Sequence, residues 1–497
     1  MTFQKDLPQK PADAQVPAKP ASHDTVPPPA LLELMVQEWK PAPTRPTPRL
    51  KGHQAFLARR RALSKLFPGE TLVIPTGHEK VRANDTTYRF RPSSDFYYLT
   101  GNGEPDCVLV MEAQEGGGHR DVLYVEPNPG HTDATFFTDR VKGQLWVGPR
   151  LGVPQSRDRF AVDECRGLPA LKEDLQALAS SGRKARVARG HSNRVDPLLP
   201  PRKEGDRDLD RELSQALSEM RLLKDAQEVK ELSAAIASTR RGFDDVIRAL
   251  REHAVKTERV VEGVFNLRAR VEGNDVGYGT IAASGPNACI LHWTRNNGPL
   301  KPGQLLLLDA GVERESLYTA DITRTLPVSG KFSKEQKEIY GLVHAAQAAG
   351  FEGVRPGNDF MEPNRRAMRV LAEGLWKLGI LKVSPEEALK EEHQFYKRYS
   401  LHNVSHMLGL DVHDCALARQ EAYKLGKLKP GMVLTVEPGL YFQLDDLTVP
   451  PRYRGIGIRI EDDVLVTARG MRNLSAGFPS RADEVEAWMA SLWRKRR

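Results

Sequence analysis

The spacing of apolar positions changes along this chain, and the change divides it. From about residue 50 to about 220, short apolar runs alternate with turn signals. Leu72–Pro75, Asp95–Thr100, Cys107–Met111 and Val122–Val125 have the length and bounding residues of strands. Ala55–Leu66 reads as a basic amphipathic helix. From Asp225 the period lengthens. Asp225-Ala-Gln-Glu228 has the form of a capping box, and Val229, Leu232, Ile236, Phe243, Val246 and Leu250 follow at near-helical intervals. Ser333-Lys-Glu-Gln336 and Ser384-Pro-Glu-Glu387 open two more helices, the second with Pro at its first position. Between these helices lie β-rich runs at Leu305–Leu308, Ile322–Val328, Met432–Val436 and Ile456–Val466.

Helices set apart from a strongly β set predict an α+β fold, with helices covering one face of a largely antiparallel sheet. The predicted division is a Pro-rich flexible leader (1–48), an N-terminal mixed α/β domain (49–220) and a C-terminal α+β domain (221–497). The leader holds 11 of the 35 prolines. It has few large apolar residues, so it cannot offset the entropy of ordering. One patch, Leu31 to Trp39, is expected to dock as a short helix.

Composition narrows the function classes. The chain has 497 residues, 40% apolar and 28% charged, which is globular and multi-domain. No run approaches the roughly 18 apolar residues of a membrane span. Net charge is 73 − 65 = +8 with both signs dispersed, so no nucleic-acid stripe is built. The basic tail Arg494 to Arg497 reads as a solvated end. Cys107, Cys165, Cys289 and Cys415 lie far apart, which argues against a disulfide scaffold and for a reducing compartment. The first residues lack an apolar h-region, and no Arg precedes Arg45, so neither a secretory nor a transit signal is expected. The cytoplasm is the expected location.

Candidate chemistry appears where acids close apolar strands. Leu305-Leu-Leu-Leu-Asp309-Ala-Gly311 puts a carboxylate at the end of a buried run, and Asp321 begins Ile322-Thr-Arg-Thr-Leu326. Val433-Leu-Thr-Val-Glu437-Pro-Gly439 repeats the first arrangement, and Gly455-Ile-Gly-Ile-Arg-Ile-Glu461 repeats the second. Arg459 and Glu461 would share a strand face opposite Ile456, Ile458 and Ile460. Four carboxylates on neighbouring strands repel one another and resist ionisation, and two divalent cations remove the conflict. His402-Asn-Val-Ser-His406 offers an imidazole, on a helical face or, as the alternation of Val404, His406, Leu408, Leu410 and Val412 favours, on a strand. An oxygen-rich shell with one nitrogen suits Mn²⁺, with Co²⁺ and Zn²⁺ as alternatives, and two-metal hydrolysis follows. Ser284-Gly-Pro lacks the flanks of a nucleophile elbow.

Six stretches in order carry a family resemblance: Ser284 to His292, Leu308 to Gly311, Ala320 to Thr325, Ser405 to Asp414, Leu434 to Gly439 and Gly455 to Asp463. Over about residues 50–480 the chain resembles the aminopeptidase P branch of the M24 metallopeptidases. The resemblance implies a C-terminal pita-bread (creatinase-like) catalytic domain. It also implies metal ligands Asp309, Asp321, His406, Glu437 and Glu461, with Asp321 and Glu461 bridging. His292, His402 and His413 match substrate-side histidines, and Arg459 an arginine beside the site. Trp146 resembles an N-domain tryptophan near the substrate, and Asp85 an acid lent by a neighbouring subunit. The implied reaction is hydrolysis of the bond before proline at the second position of a peptide, by a hydroxide bridging two metals. Glu437 then shuttles the proton. A homodimer or homotetramer is implied too.

Two features depart from the pattern. Asn403 follows His402 where the family has Gly, and the Asp309–Asp321 interval is one residue longer, which predicts a longer hairpin at Glu313–Ser316. No substrate arginine is assigned in the loop after His413. The nearest alternative is a prolidase-type Xaa-Pro dipeptidase. Methionine aminopeptidases lack such an N-terminal domain. A creatinase-like amidinohydrolase and a non-enzymatic creatinase-fold binding protein complete the alternatives, and the latter tends to lose ligands.

Overall fold

The computed structural model describes residues 27–40, 47–84, 86–251 and 256–494. Most of the Pro-rich leader, Asp85 and the tail beyond Arg494 lie outside them. The chain forms two compact units, Met1–Asp206 and Arg207–Arg497. The expected boundary near 220 therefore moves to about 206. The reason lies in the helix Glu204–Met220 and the turn after it. Glu219 accepts from the Arg419 guanidinium at 2.6 and 2.7 Å, and Arg221 and Lys224 both reach Asp414. These bonds tie the helix to the second unit.

The first unit is built on five strands: β1 (Thr71–Pro75), β2 (Val108–Ala113), β3 (His119–Val125), β4 (Glu164–Gly167) and β5 (Ala185–Val187). Their order is β4-β3-β2-β1-β5. Antiparallel pairs join β1 to β2 and β2 to β3, and parallel pairs add β4 and β5 at the edges. The helix Leu168–Ser180 buries Leu168, Leu171 and Leu175 against Val73, Val110 and Val122. The predicted basic helix forms over His53–Leu66, yet it buries Arg59 and Arg60 beside Leu63. Arg60 donates to Asp121 at 2.5 Å and to the carbonyls of Leu99 and Ala161 at 2.8 and 2.7 Å. Its charge is matched and its donors are filled, which is the condition for burying it.

Asp95–Thr100 is a helix, Ser94–Thr100, and not the predicted strand. Ser93 caps it by accepting the Phe96 N–H, and Gly101 closes it with φ 68°. A local cap at each end outweighs the strand preference of Phe96, Tyr97 and Tyr98. The Leu31–Trp39 patch does contain a helix, Pro29–Met35, but no residue of it is buried. Contact runs instead through Trp39, which stacks on His131 at 4.6 Å.

All strand pairs of the second unit are antiparallel among the described residues. β6 (Ile281–Ser284), β7 (Leu305–Ala310) and β8 (Ile322–Pro327) form one sheet in the order β8-β7-β6. β9 (Val433–Val436) pairs with β12 (Asp462–Val466), which pairs with β13 (Met471–Asn473). β10 (Gly439–Tyr441) pairs with β11 (Gly457–Arg459). The single run expected at Ile456–Val466 is thus split at Ile460–Glu461, and its halves serve different partners. β8 joins the two halves: the Glu461 N–H donates to the Thr323 carbonyl, and Thr325 Oγ1 bonds the backbone of Arg459. The helices Ala226–Arg251, Glu258–Glu272, Lys334–Gly353, Glu362–Lys377 and Ala482–Trp493 pack onto this β framework around Phe243, Phe265, Leu306, Ile322, Leu371 and Ile458. Asp225 and Glu228 exchange both bonds of a capping box, as do Ser333 and Gln336.

Asp414 is buried between two cations. Lys224 Nζ is 3.0 Å from one oxygen and Arg221 Nε 2.9 Å from the other. Burial would raise the carboxyl, but Lys224 and Arg221 outweigh it and hold it down at about 2. The folded pKa lies below the unfolded value of about 3.9. The stabilisation is therefore present above about pH 4 and is lost as pH falls towards about 2. Lys224→Met should cost about 3–5 kcal/mol near neutral pH, because it strips a partner from a buried charge. Urea unfolding of both proteins checks this, and a loss under about 1 kcal/mol would contradict it.

Candidate metal centre

The two halves of the second unit each deliver acids to one place. Asp309 stands opposite Thr323 in the β7–β8 ladder. Gly311 lets the following hairpin close: a Cβ there would lie 1.7 Å from the Ala320 carbonyl oxygen. Asp321 precedes β8, and the hairpin turns at Arg314–Leu317, where the extra length was expected. Glu437 follows β9, and Glu461 sits at the break between β11 and β12. The segment carrying His406 runs beside β9 without being a regular strand. Its bonds are Thr435 N–H to the His406 carbonyl, Glu437 N–H to the Val404 carbonyl and Leu408 N–H to the Val433 carbonyl.

A cavity of about 660 Å³ is lined by Asp309, Asp321, His406, Glu437 and Glu461, and also by His292, His402, His413 and Arg459. Ligand atoms of Asp321, His406 and Glu461 all lie within 4.8 Å of one another. Glu437 joins them through His406, 3.4 Å away, and Asp309 through the Tyr278 hydroxyl, which is 2.7 Å from Asp309 and 2.5 Å from Asp321. The other two predicted residues, Trp146 and Asp85, fall within 1–206 of the sequence. Trp146 belongs to the first unit, where its indole N–H donates to the Phe137 carbonyl and Arg140 covers its ring at 4.8 Å. Asp85 lies outside the described residues.

Crowding governs the electrostatics. Burial raises Glu437 to about 7, with Asp321 and Asp309 adding to it against His406 and Arg459. Burial, and then Asp321, Glu437 and Asp309, raise Glu461 well above the carboxylate range. Asp309 is raised by burial and by Asp321, although Arg459 donates to it at 2.6 Å. Burial would lower His406, but its bond to Asp321 and the charge of Glu437 lift it to about 9.

Comparison with known proteins places the chain. Residues 230–468 match Metallopeptidase family M24, and residues 56–187 match Aminopeptidase P, N-terminal domain. Xaa-Pro aminopeptidase 1 of Streptomyces coelicolor is 49% identical over 492 residues, 98% of this chain and 97% of that one. The Escherichia coli Xaa-Pro aminopeptidase is 34% identical over 453 residues, 88% of this chain and 98% of that one. A structure of E. coli aminopeptidase P superposes with a TM-score of 0.79 at 34% identity, covering 89% of this chain and 99% of that one. A zinc-substituted form with bound product gives 0.79 as well, covering 90% and 99%. The chain belongs to the M24 metallopeptidases.

The donor set of this metallopeptidase fits a divalent metal. Four carboxylates and one imidazole converge in one cavity, where the charge on Arg459 meets Asp309 at 2.6 Å. His406 Nδ1 faces the Met407 carbonyl at 3.1 Å. A carbonyl only accepts, so that nitrogen carries a proton and Nε2 faces Asp321 and Glu437 at 3.3 and 3.4 Å. Thr323 Oγ1 donates to Glu461 at 2.6 Å and so orients it. His402 is different. Its Nδ1 faces the Asn403 carbonyl at 3.0 Å and its Nε2 the Tyr441 hydroxyl at 2.8 Å, and Arg459 donates to that same hydroxyl. Burial, and then Arg459, lower it to about 4. It is a neutral ring fixed at both nitrogens. His413 packs edge-on against His406 at 4.5 Å.

Sequence patterns missed Tyr278, Tyr441 and the Arg221–Lys224–Asp414 cluster. Gly277-Tyr278-Gly279 was a usable signal, since a Cβ at Gly277 would lie 1.9 Å from Thr319 Oγ1. Asp321→Ala should abolish stoichiometric binding of divalent ions while preserving the circular dichroism spectrum. Elemental analysis of purified protein measures it, and undiminished metal in the variant would contradict the ligand set.

Proposed function

We propose that this protein is a metal-dependent Xaa-Pro aminopeptidase that removes the first residue from peptides with proline second. The observation that carries this reading is the buried cluster of four carboxylates and one imidazole, in a chain alike over nearly its whole length to Xaa-Pro aminopeptidases. Asp309, Asp321, His406, Glu437 and Glu461 would hold two divalent ions. Such a pair supplies Lewis acidity and a water acidic enough to react near neutral pH. The oxygen-rich set favours Mn²⁺, with Zn²⁺ and Co²⁺ as alternatives.

The chain's own residues do the rest. Glu437, which lines the cavity 3.4 Å from His406, is placed to take a proton and pass it on. A proline amide nitrogen carries no hydrogen, so its departure as an amine depends on a delivered proton. His292 and His413 present rings to the cavity and serve as donors to the developing oxyanion. Leu291, Val412 and Ala416 give it an apolar wall on which a pyrrolidine ring packs. His402 and Tyr441 fix the Arg459 side of the site. Four free thiols are in keeping with the cytoplasm, and the family resemblance with a homo-oligomer.

Chain length of the substrate separates this reading from a prolidase-type dipeptidase. Metal-stripped protein should be inactive, and added Mn²⁺ should restore cleavage of a Xaa-Pro-Xaa tripeptide at a rate at least tenfold above that of the Xaa-Pro dipeptide. Chromatographic assay of both substrates measures this. Cleavage of the dipeptide alone would overturn the aminopeptidase assignment.

A further inference from the structure

Outside the metal cluster, Glu258 is a buried acid of the second unit that takes four hydrogen bonds. It opens the helix Glu258–Glu272 and has no exposed surface. A carboxylate is buried at heavy cost unless its lone pairs are filled. Here each oxygen takes two donors. One accepts from the Ser284 N–H at 2.6 Å and Asn287 Nδ2 at 2.8 Å. The other accepts from Trp293 Nε1 at 2.7 Å and the Gly298 N–H at 2.6 Å. All four donors belong to one segment, 284–298: two at its ends and two from within. Gly298 must be glycine, since a Cβ there would lie 2.8 Å from the carboxylate and 2.4 Å from Asn287 Nδ2.

That segment carries Leu291, His292 and Thr294 to the cavity. Between Cys289 and Gly298 it has no strand partner among the described residues. Its far end is held by buried Asn296, which accepts from the Ala282 N–H at 3.0 Å and donates to the Thr280 carbonyl at 2.8 Å. Trp293 turns inward to Glu258 while its neighbour His292 lines the cavity. The indole bond therefore sets the direction of the imidazole.

We propose that Glu258 is a positioning residue for His292: it gathers the segment 284–298 onto one buried carboxylate and so aims the imidazole at the substrate. The proposal rests on the peptidase reading above, which gives His292 its task. A misaimed donor loses transition-state contact without any loss of metal, since Glu258 touches none of the five ligands.

The test is a double-mutant cycle on the metal-loaded protein with a Xaa-Pro-Xaa tripeptide. Glu258→Gln keeps the shape but turns an amide towards the donors. Trp293→Phe removes one donor and keeps the ring. Each is made alone and with His292→Ala, and kcat, KM and metal content are measured. Each single change should lower kcat about tenfold or more with metal content unchanged, and the loss should vanish in the His292→Ala background. Equal losses with and without His292, or no loss, would overturn the positioning role. Should Glu258→Gln not fold, Trp293→Phe alone decides between these outcomes. An inactive metal-loaded wild type would instead refute the peptidase reading.

Discussion

Four carboxylates within one buried pocket are the constraint on which this structure turns. In water each would ionise independently near pH 4. Here burial and mutual repulsion push Asp309, Glu437 and Glu461 upward, and His406 and Arg459 are the basic groups set against them. Such a cluster is costly without cations and stable with them. The requirement explains why the surrounding donors are so specific. Tyr278 spans Asp309 and Asp321, Thr323 holds Glu461, and the Met407 carbonyl fixes the His406 tautomer.

The scaffold meets that constraint by bringing two similar halves together. In each, one acid lies at the end of an apolar strand and another lies further along. β8 then locks the halves through Thr323 and Thr325 to the backbone around Arg459 and Glu461. Two loops bring the histidines, and each is anchored from beneath by a buried acid. Asp414 holds the His406–His413 loop to Lys224 and Arg221. Glu258 holds the His292 segment. The site is thus a rigid sheet edge with two pinned loops over it, the arrangement that precise positioning demands.

Much of this was legible in the sequence because the signals were local. An acid closing a run such as Leu305–Leu308 is conspicuous, since charge there has no reason to exist without a partner. Capping boxes at Asp225 and Ser333 also lie within four residues of their partners. Where local signals conflicted, the reading failed: Phe96, Tyr97 and Tyr98 favour a strand, yet Ser93 and Gly101 cap a helix. Groups that act across the sequence left no pattern at all. Glu258 finds its donors 26 to 40 residues away, and Arg221 and Lys224 find Asp414 across 193 and 190. Such pairs are created by folding, so spacing cannot announce them. The basic face of His53–Leu66 misled for the same reason, because Asp121, which neutralises Arg60, lies 61 residues on.

The most direct measurement is anomalous diffraction from crystals of the Mn²⁺-loaded protein, recorded on either side of the manganese edge. The account predicts two peaks inside the cavity, both in contact with side chains of the set Asp309, Asp321, His406, Glu437 and Glu461. A single peak, or peaks bound outside that set, would contradict it.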